Sequence, residues 1–291
     1  MTDYIVRATA AEDSIRCFAI TSKEMVESAR LHHHTTPVVT AALGRLLSAA
    51  SMMGSMMKGD NDLLTLQIQG DGPIEGLTVT ATSYGTVKGF AVNPQVDIPP
   101  RADNHLNVGG AIGHGILNVI RDLGMKEPYV GQCELVTGEI AEDLTYYYAS
   151  SEQIPSAVGL GVLVDTDGSV RQAGGFIIQL MPFTSEEVID KLEKKLAAIP
   201  SVTSMLEMGL TPEGILDRIL GDMGVKVNDT IPAAFRCDCS KKRVSQALAT
   251  LSRSDMDSLI ADGSEIEVKC HFCNTGYIFT PEDLIEIRDA K

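Results

Sequence analysis

The apolar and polar positions change rhythm along the chain. "YIVRATA" and "IRCFAIT" alternate apolar and polar residues, the period of two that predicts strands, and "AEDS" between them predicts a hairpin turn. A helix is expected from Ser22 to Leu31. "LHHHTTP" ends it, and a long apolar helix begins at Pro37, where proline suits the first helical turn and Thr36 suits the cap. "LLTLQIQG", "GLTVTATS" and "VKGFAVN" return to the strand period between glycine-rich turns. "YVGQCELVTG", "LTYYYASS", "VGLGVLVD" and "VRQAGGFIIQLMP" continue it, the last two joined by a tight turn at "DTDGS". On this reading Tyr146, Tyr147 and Tyr148 alternate across a half-buried strand. "GAIGHGILNVIRDLG" fits a strand or a weak helix equally. Many strands with a few helices, not strictly alternating, predict an α+β core domain over residues 1–182.

After Met181-Pro182 the texture becomes helical. Thr184 followed by Glu187 has the spacing of a capping box, and Val188, Leu192, Leu196 and Ile199 share one face. Thr211-Pro212 opens another helix, with Ile215, Leu216, Ile219 and Leu220 as its apolar stripe. Pro200, Gly209, Gly214 and Gly221 keep these helices short, and short helices depend on docking against a neighbour. Residues 183–230 are therefore expected to be a helical linker lying on an adjacent surface. Residues 231–291 form a third unit with few large apolar side chains, and so small a domain commonly needs a metal or disulfides.

Composition narrows the function classes. The formal net charge is −15, and no long run of Lys or Arg exists to neutralise phosphates, so nucleic acid is a poor partner. The N-terminal residues lack a secretory signal pattern. The segment from Pro37 to Met57 has the length of a membrane span, but Arg45 and several hydroxyl residues interrupt it, which predicts a buried helix instead. A cytoplasmic protein with no membrane partner is expected. Neither "GGAIGHG" nor "GLGVLVD" fits a nucleotide-binding fingerprint, so no nucleotide is expected. His32, His33 and His34 read as a solvated helix end. Met52, Met53, Met56 and Met57 read as core in preference to an adaptable binding surface.

Four of the six cysteines lie in "FRCDCSKKR" and "VKCHFCNTG". Cys237 and Cys239 form a CxC, Cys270 and Cys273 a CxxC, and the interval between them fits two short helices followed by strand, knuckle and strand. Zn²⁺ accepts four thiolates in a tetrahedron, so one zinc per chain held by Cys237, Cys239, Cys270 and Cys273 is expected. A catalytic zinc keeps a position open for water, whereas four cysteines leave none, so the site is structural or a switch, and no enzyme is expected. Structural zinc contributes roughly 10–16 kcal/mol of apparent binding free energy. A whole domain is stable by only about 5–15 kcal/mol. Losing the ion could therefore unfold the unit. Four cysteines allow three disulfide pairings; neighbouring sulfurs meet first, which favours Cys237–Cys239 and Cys270–Cys273.

The cysteine pattern at the end of a chain of this length resembles the redox-regulated heat-shock holdase family, the 33 kDa chaperonins. "ALGRLLSAASMMGSMMKGD", "GDGPIEG", "NPQVD", "SSEQIPSAVGLGVLV" and "GGFIIQLMP" resemble that family's core domain. The resemblance implies an ATP-independent chaperone that binds unfolding client proteins, is inactive when reduced and zinc-bound, and is activated by oxidation with zinc release and two disulfides. It also implies a homodimer in the active form. The competing readings are a zinc-knuckle nucleic-acid-binding regulator and a thiol–disulfide oxidoreductase. Residues 237–291 carry seven Lys or Arg against ten Asp or Glu, which disfavours the first. Four cysteines expected to share one ion disfavour the second.

Overall fold

The computed structural model describes residues 2–290. Two compact units divide the chain, Met1–Arg236 and Cys237–Lys291.

In the first unit, β1 (Tyr4–Ala10) and β2 (Ile15–Thr21) make the expected hairpin. Helix α1 (Lys23–His33) ends at His34, which takes a left-handed φ of 52°. Its start is held by Asp3, whose buried carboxylate accepts the Met25 amide at 2.7 Å. Helix α2 (Pro37–Gly54) buries every residue except Pro37 and Arg45. It is long and apolar enough to cross a membrane, and it is the core helix of this unit. Arg45, the one charge in it, pairs with Glu139 at 2.5 Å. Thr36 does precede α2, but its hydroxyl donates to the Val96 carbonyl at 2.6 Å and leaves the helix amides alone.

The chain continues through β3 (Leu63–Gly70), β4 (Gly76–Thr82), β5 (Thr86–Ala91), α3 (Val108–Ile112), β6 (Gly115–Asp122), β7 (Tyr129–Glu134), α4 (Ala141–Ser150), β8 (Ser156–Val164) and β9 (Val170–Leu180). The ambiguous stretch around "GAIGHG" is thus both things in turn, a one-turn helix and then a strand. "LTYYYASS" is a helix, not a strand. Leu144, Tyr147 and Tyr148 are the buried positions, and this i, i+3, i+4 spacing is helical. The decisive group is Asp143: fully buried, its carboxylate accepts the amides of Val136, Thr137, Gly138 and Ile140 at 2.7–3.2 Å, tying down the loop and the first turn together. Tyr146 points outward, while Tyr147 and Tyr148 are buried in the core.

Residues 183–236 complete the first unit with α5 (Glu186–Leu196), α6 (Val202–Glu207), α7 (Pro212–Leu220), β10 (Lys226–Pro232) and β11 (Ala234–Phe235). Ser185, not Thr184, occupies the cap position of α5; the Thr184 hydroxyl donates to the Met181 and Ser14 carbonyls. Thr211 caps α7 as expected, accepting the Gly214 amide at 3.3 Å. Past the helices the chain turns extended, and β10 pairs antiparallel with β1 as an edge strand.

One sheet has the order β10-β1-β2-β9-β8 and the other β11-β5-β4-β3-β6-β7. Strand alternation on the first sheet sends residues to two cores. Ile5, Phe18, Ile20 and Ile177 face α2, which is packed between the two sheets. Val6, Ala8, Cys17, Ala19 and Ile178 face the opposite way, where Leu192, Met205, Leu206 and the α7 stripe cover them. Ile215, Leu216, Ile219 and Leu220 are all fully buried there.

In the second unit, α8 (Lys241–Leu248) and α9 (Arg253–Ala261) precede a hairpin of β12 (Ile266–Lys269) and β13 (Gly276–Phe279), then α10 (Pro281–Asp289). Thr280 and Asp283 cap α10 reciprocally, at 3.2 and 3.1 Å. Its apolar core is Leu248, Met256, Phe279 and Leu284.

Leu216→Ala is expected to destabilise the reduced protein by about 2–5 kcal/mol, the range for emptying a buried leucine site. Met208→Ala, at a position 68% exposed in the turn after α6, is expected to change stability by less than about 0.5 kcal/mol. Urea unfolding measures both; equal effects would mean that the helices do not depend on this buried face.

Candidate metal centre

Cys237 and Cys239 flank Asp238 just after β11, and Ser240 begins α8 by accepting the Arg243 amide at 3.3 Å. Cys239 therefore sits one residue before the cap. Arg243 also pairs with the Asp238 carboxylate and donates to the Asp238 carbonyl at 3.1 Å, which braces the CxC loop.

The CxxC comes from the turn of the β12–β13 hairpin. The Cys270 carbonyl accepts the amides of Cys273 and Asn274 at 3.3 and 2.7 Å, and the Cys270 amide donates to the Thr275 carbonyl at 3.0 Å. Asn274 takes a left-handed φ of 56°, a conformation that asparagine tolerates better than most residues. The knuckle thus points both sulfurs of the CxxC to one side.

The structure brings all four predicted cysteines together. Their sulfurs lie within 4.8 Å of one another, with Cys237 to Cys270 at 3.8 Å and Cys239 to Cys273 at 3.3 Å. A tetrahedral Zn–S distance of about 2.3 Å implies sulfur separations of about 3.8 Å, so this donor set fits the ion. No disulfide joins any of the six cysteines. Among the described residues this is the one cluster of three or more His, Cys, Asp or Glu side chains placed to hold a metal.

The electrostatics of the tetrad call for a cation. Burial pushes the Cys237 thiol upward, and hydrogen bonding among the sulfurs adds to it. Burial also raises Cys239, against the pull of the Tyr277 phenol. Cys273 moves the other way: burial opposes its ionisation, but the Thr275 hydroxyl and amide and the neighbouring thiols bring it down to about 7. A divalent cation is what allows all four to be thiolates.

Two members of the site have no signature in the sequence. Tyr277 donates its phenol hydrogen to the Cys239 sulfur at 3.1 Å, and the Thr275 hydroxyl lies 3.2 Å from the Cys273 sulfur. Cys237 and Cys270 have no such hydroxyl in contact among the described residues. Cys17 and Cys133 belong to the first unit, are buried there and take no part in the tetrad. Cys17 is fully buried, donates to the Ala8 carbonyl at 3.3 Å and is pushed by burial to about 12; burial, then the Asp143 charge, push Cys133 to about 11. His32 and His33 lie at the end of α1, exposed and half-buried, with rings tilted and edge-on to Phe235 at centroid distances of 5.5 and 6.3 Å.

A family model described as Hsp33 protein matches residues 3–280. A 33 kDa chaperonin of Agathobacter rectalis is 69% identical over 288 residues, covering 99% of this chain and all of that one. A 33 kDa chaperonin of Lachnoclostridium phytofermentans is 58% identical over 287 residues, 99% of this chain and 98% of that one. The crystal structure of a 33 kDa chaperonin from Thermotoga maritima matches with a TM-score of 0.92 at 38% identity, over 99% of this chain and 98% of that chain.

The reduced protein is expected to carry one zinc per chain, and the Cys17→Ser, Cys133→Ser double variant to keep it. Tyr277→Phe should retain that stoichiometry but lose about tenfold in zinc affinity in chelator competition, the lower end for removing a hydrogen bond to a ligand. Unchanged affinity would remove Tyr277 from the site.

Proposed function

The chain belongs to the Hsp33 family, and we propose that it is a redox-regulated, ATP-independent holdase that binds unfolding proteins and prevents their aggregation. The observation that supports this most strongly is the tetrad itself, four sulfurs within 4.8 Å in a unit with a very small apolar core. Zinc bound there would hold four thiolates and cross-link the CxC loop to the hairpin knuckle. In this reading Cys237, Cys239, Cys270 and Cys273 are both the ligands and the redox sensor.

Oxidation converts two thiols to one disulfide with loss of two protons and two electrons; with hydrogen peroxide the oxidant is reduced to two waters. Two such steps consume all four ligands. Every sulfur pair is within 4.8 Å, so distance in the folded unit selects none of the three pairings. Chain tethering does. Once the unit loosens, one or two intervening residues keep the CxC and CxxC partners together, while cross-pairs must close a loop of about thirty residues against chain entropy. Cys237–Cys239 and Cys270–Cys273 are therefore the proposed disulfides.

Functionally the chain divides into a core (1–182), a linker (183–230) and a switch (231–291). Cys237 follows β11 by two residues, and β11 follows the edge strand β10 directly. Unfolding of the switch frees the end of this run. The linker helices cover one face of the β10-β1-β2-β9-β8 sheet through Leu206, Leu216 and Ile219. Undocking would expose both partners of that apolar contact to a client. A homodimer is proposed for the active form and the cytoplasm for its location, by analogy with the family.

Peroxide-treated protein is expected to suppress aggregation of a thermally unfolding client, while reduced zinc-loaded protein should not. Zinc release should track the gain, and hydrogen exchange over 183–230 should accelerate with it. Equal suppression by both forms would remove the switch; unchanged protection of 183–230 in an active oxidised form would remove the linker from the mechanism. Disulfide mapping should find the two short-range pairs.

A further inference from the structure

The two sheets of the first unit close around α2 along most of its length. Where α2 runs out into Met56 and Met57 they leave a cavity of about 340 Å³. Its size is at the lower end of the range of small-molecule sites, about 300–1,000 Å³. The apolar part of its wall comes from Met53, Met56, Met57, Leu123, Tyr148 and Ile154. Methionine side chains adapt their shape to what they contact, and the Tyr148 hydroxyl is 3.8 Å from the Met56 sulfur.

The charges lining this cavity do not balance locally. Arg121 is neutralised by Glu152 at 3.0 Å, and Glu152 also accepts the Tyr147 hydroxyl at 2.5 Å. Asp62 accepts the Gly59 amide at 2.8 Å and keeps its charge, which leaves one carboxylate against the two remaining cations, Arg16 and Lys58. Arg16 is different. It stands on the α2-facing side of β2, in line with Phe18 and Ile20, and its guanidinium lies 5.7 Å from the Phe18 ring. One terminal nitrogen donates to Gln179 at 2.6 Å, and Gln179, buried, is itself held by donating to Ser156 at 3.1 Å. The Arg16 Nε is buried with no hydrogen-bond partner. Among the described residues no carboxylate lies within 4 Å of Arg16 or of Lys58, the exposed cation at the rim. An arginine is always charged, and what this one lacks at the cavity is a counter-charge.

We propose that this cavity is a binding site for a single-chain amphipathic carboxylate, a medium-chain fatty acid, with its head on Arg16 and Lys58 and its tail along the methionine wall. The carboxylate supplies the missing counter-charge, and the acyl chain removes the apolar wall from water. A neutral lipid would leave Arg16 unbalanced, and a bare phosphate would leave the methionines wet. The site is separate from the cysteine tetrad and from the linker-covered face of the sheet, so it stands whether or not the redox reading does.

Decanoate is the probe, titrated calorimetrically into the full-length reduced protein below its aggregation limit, with methionine-methyl NMR to locate it. One saturable site is expected, with shifts confined to Met53, Met56 and Met57. 1-Decanol should bind at least about tenfold more weakly, because a charge-assisted hydrogen bond is worth roughly 1.5–3 kcal/mol, and inorganic phosphate should also bind more weakly, because it leaves the apolar wall in water. Arg16→Gln should weaken decanoate by a similar factor. Should that variant fail to fold, Lys58→Gln at the exposed rim and the decanoate–decanol comparison carry the test. Absence of saturable decanoate binding overturns the proposal. So does equal affinity for decanol, or shifts at Met205 and Met223 under the linker helices instead.

Discussion

Thiol groups gain little from crowding together, and thiolates repel. Yet the second unit gathers four sulfurs within 4.8 Å of one another, while its apolar core amounts to Leu248, Met256, Phe279 and Leu284. So small a core is weak support for two helices, a hairpin and a capping helix. The sulfur cluster is where the CxC loop, the start of α8 and the hairpin knuckle converge, so whatever holds the sulfurs together holds those three elements together. A dication does this strongly, and a disulfide within either pair does not, because it closes only one or two residues of chain. On the proposed reading, the same four atoms would define the fold in one oxidation state and release it in the other.

The first unit is organised around a sheet with two usable faces. One face packs on α2. The other is covered by short helices that contribute little stability of their own, since Gly209, Pro200 and Gly221 limit their length. Their stability is borrowed from the residues they bury, Leu206, Leu216 and Ile219 against Val6, Ala8 and Ile178. In the proposed mechanism such a cover would detach as one unit, because short helices lack support once the shared face is lost. The edge strand β10, mostly exposed and paired only with β1, is the thin end of the same cover.

Environment, not residue type, separates the six cysteines. Cys17 faces apolar neighbours, keeps its proton and behaves as a small core residue. Cys273 is just as buried, yet the donors of the hairpin knuckle bring it close to neutral pH. Arg16 shows the same principle with the opposite charge: a side chain that would be unremarkable on the surface becomes an unbalanced cation when Gln179 and Phe18 hold it at the mouth of the core.

Features set by near neighbours could be read directly from the residues. The CxC and CxxC, the Thr280 cap of α10 and the buried stripe of α7 depend on spacings of a few residues, and a helix or a knuckle enforces those spacings wherever it occurs. The strand reading of Tyr146 to Tyr148 failed because a short apolar run satisfies both periods; the backbone amides gathered by Asp143 broke the tie. The remaining features join residues far apart in the chain. Tyr277 reaches Cys239 across 38 positions and Arg16 reaches Gln179 across 163. Strand β10 finds β1 at the opposite end of the first unit. No local pattern encodes such meetings, because they depend on the path the whole backbone takes and on which face of each strand is left for the next element to cover.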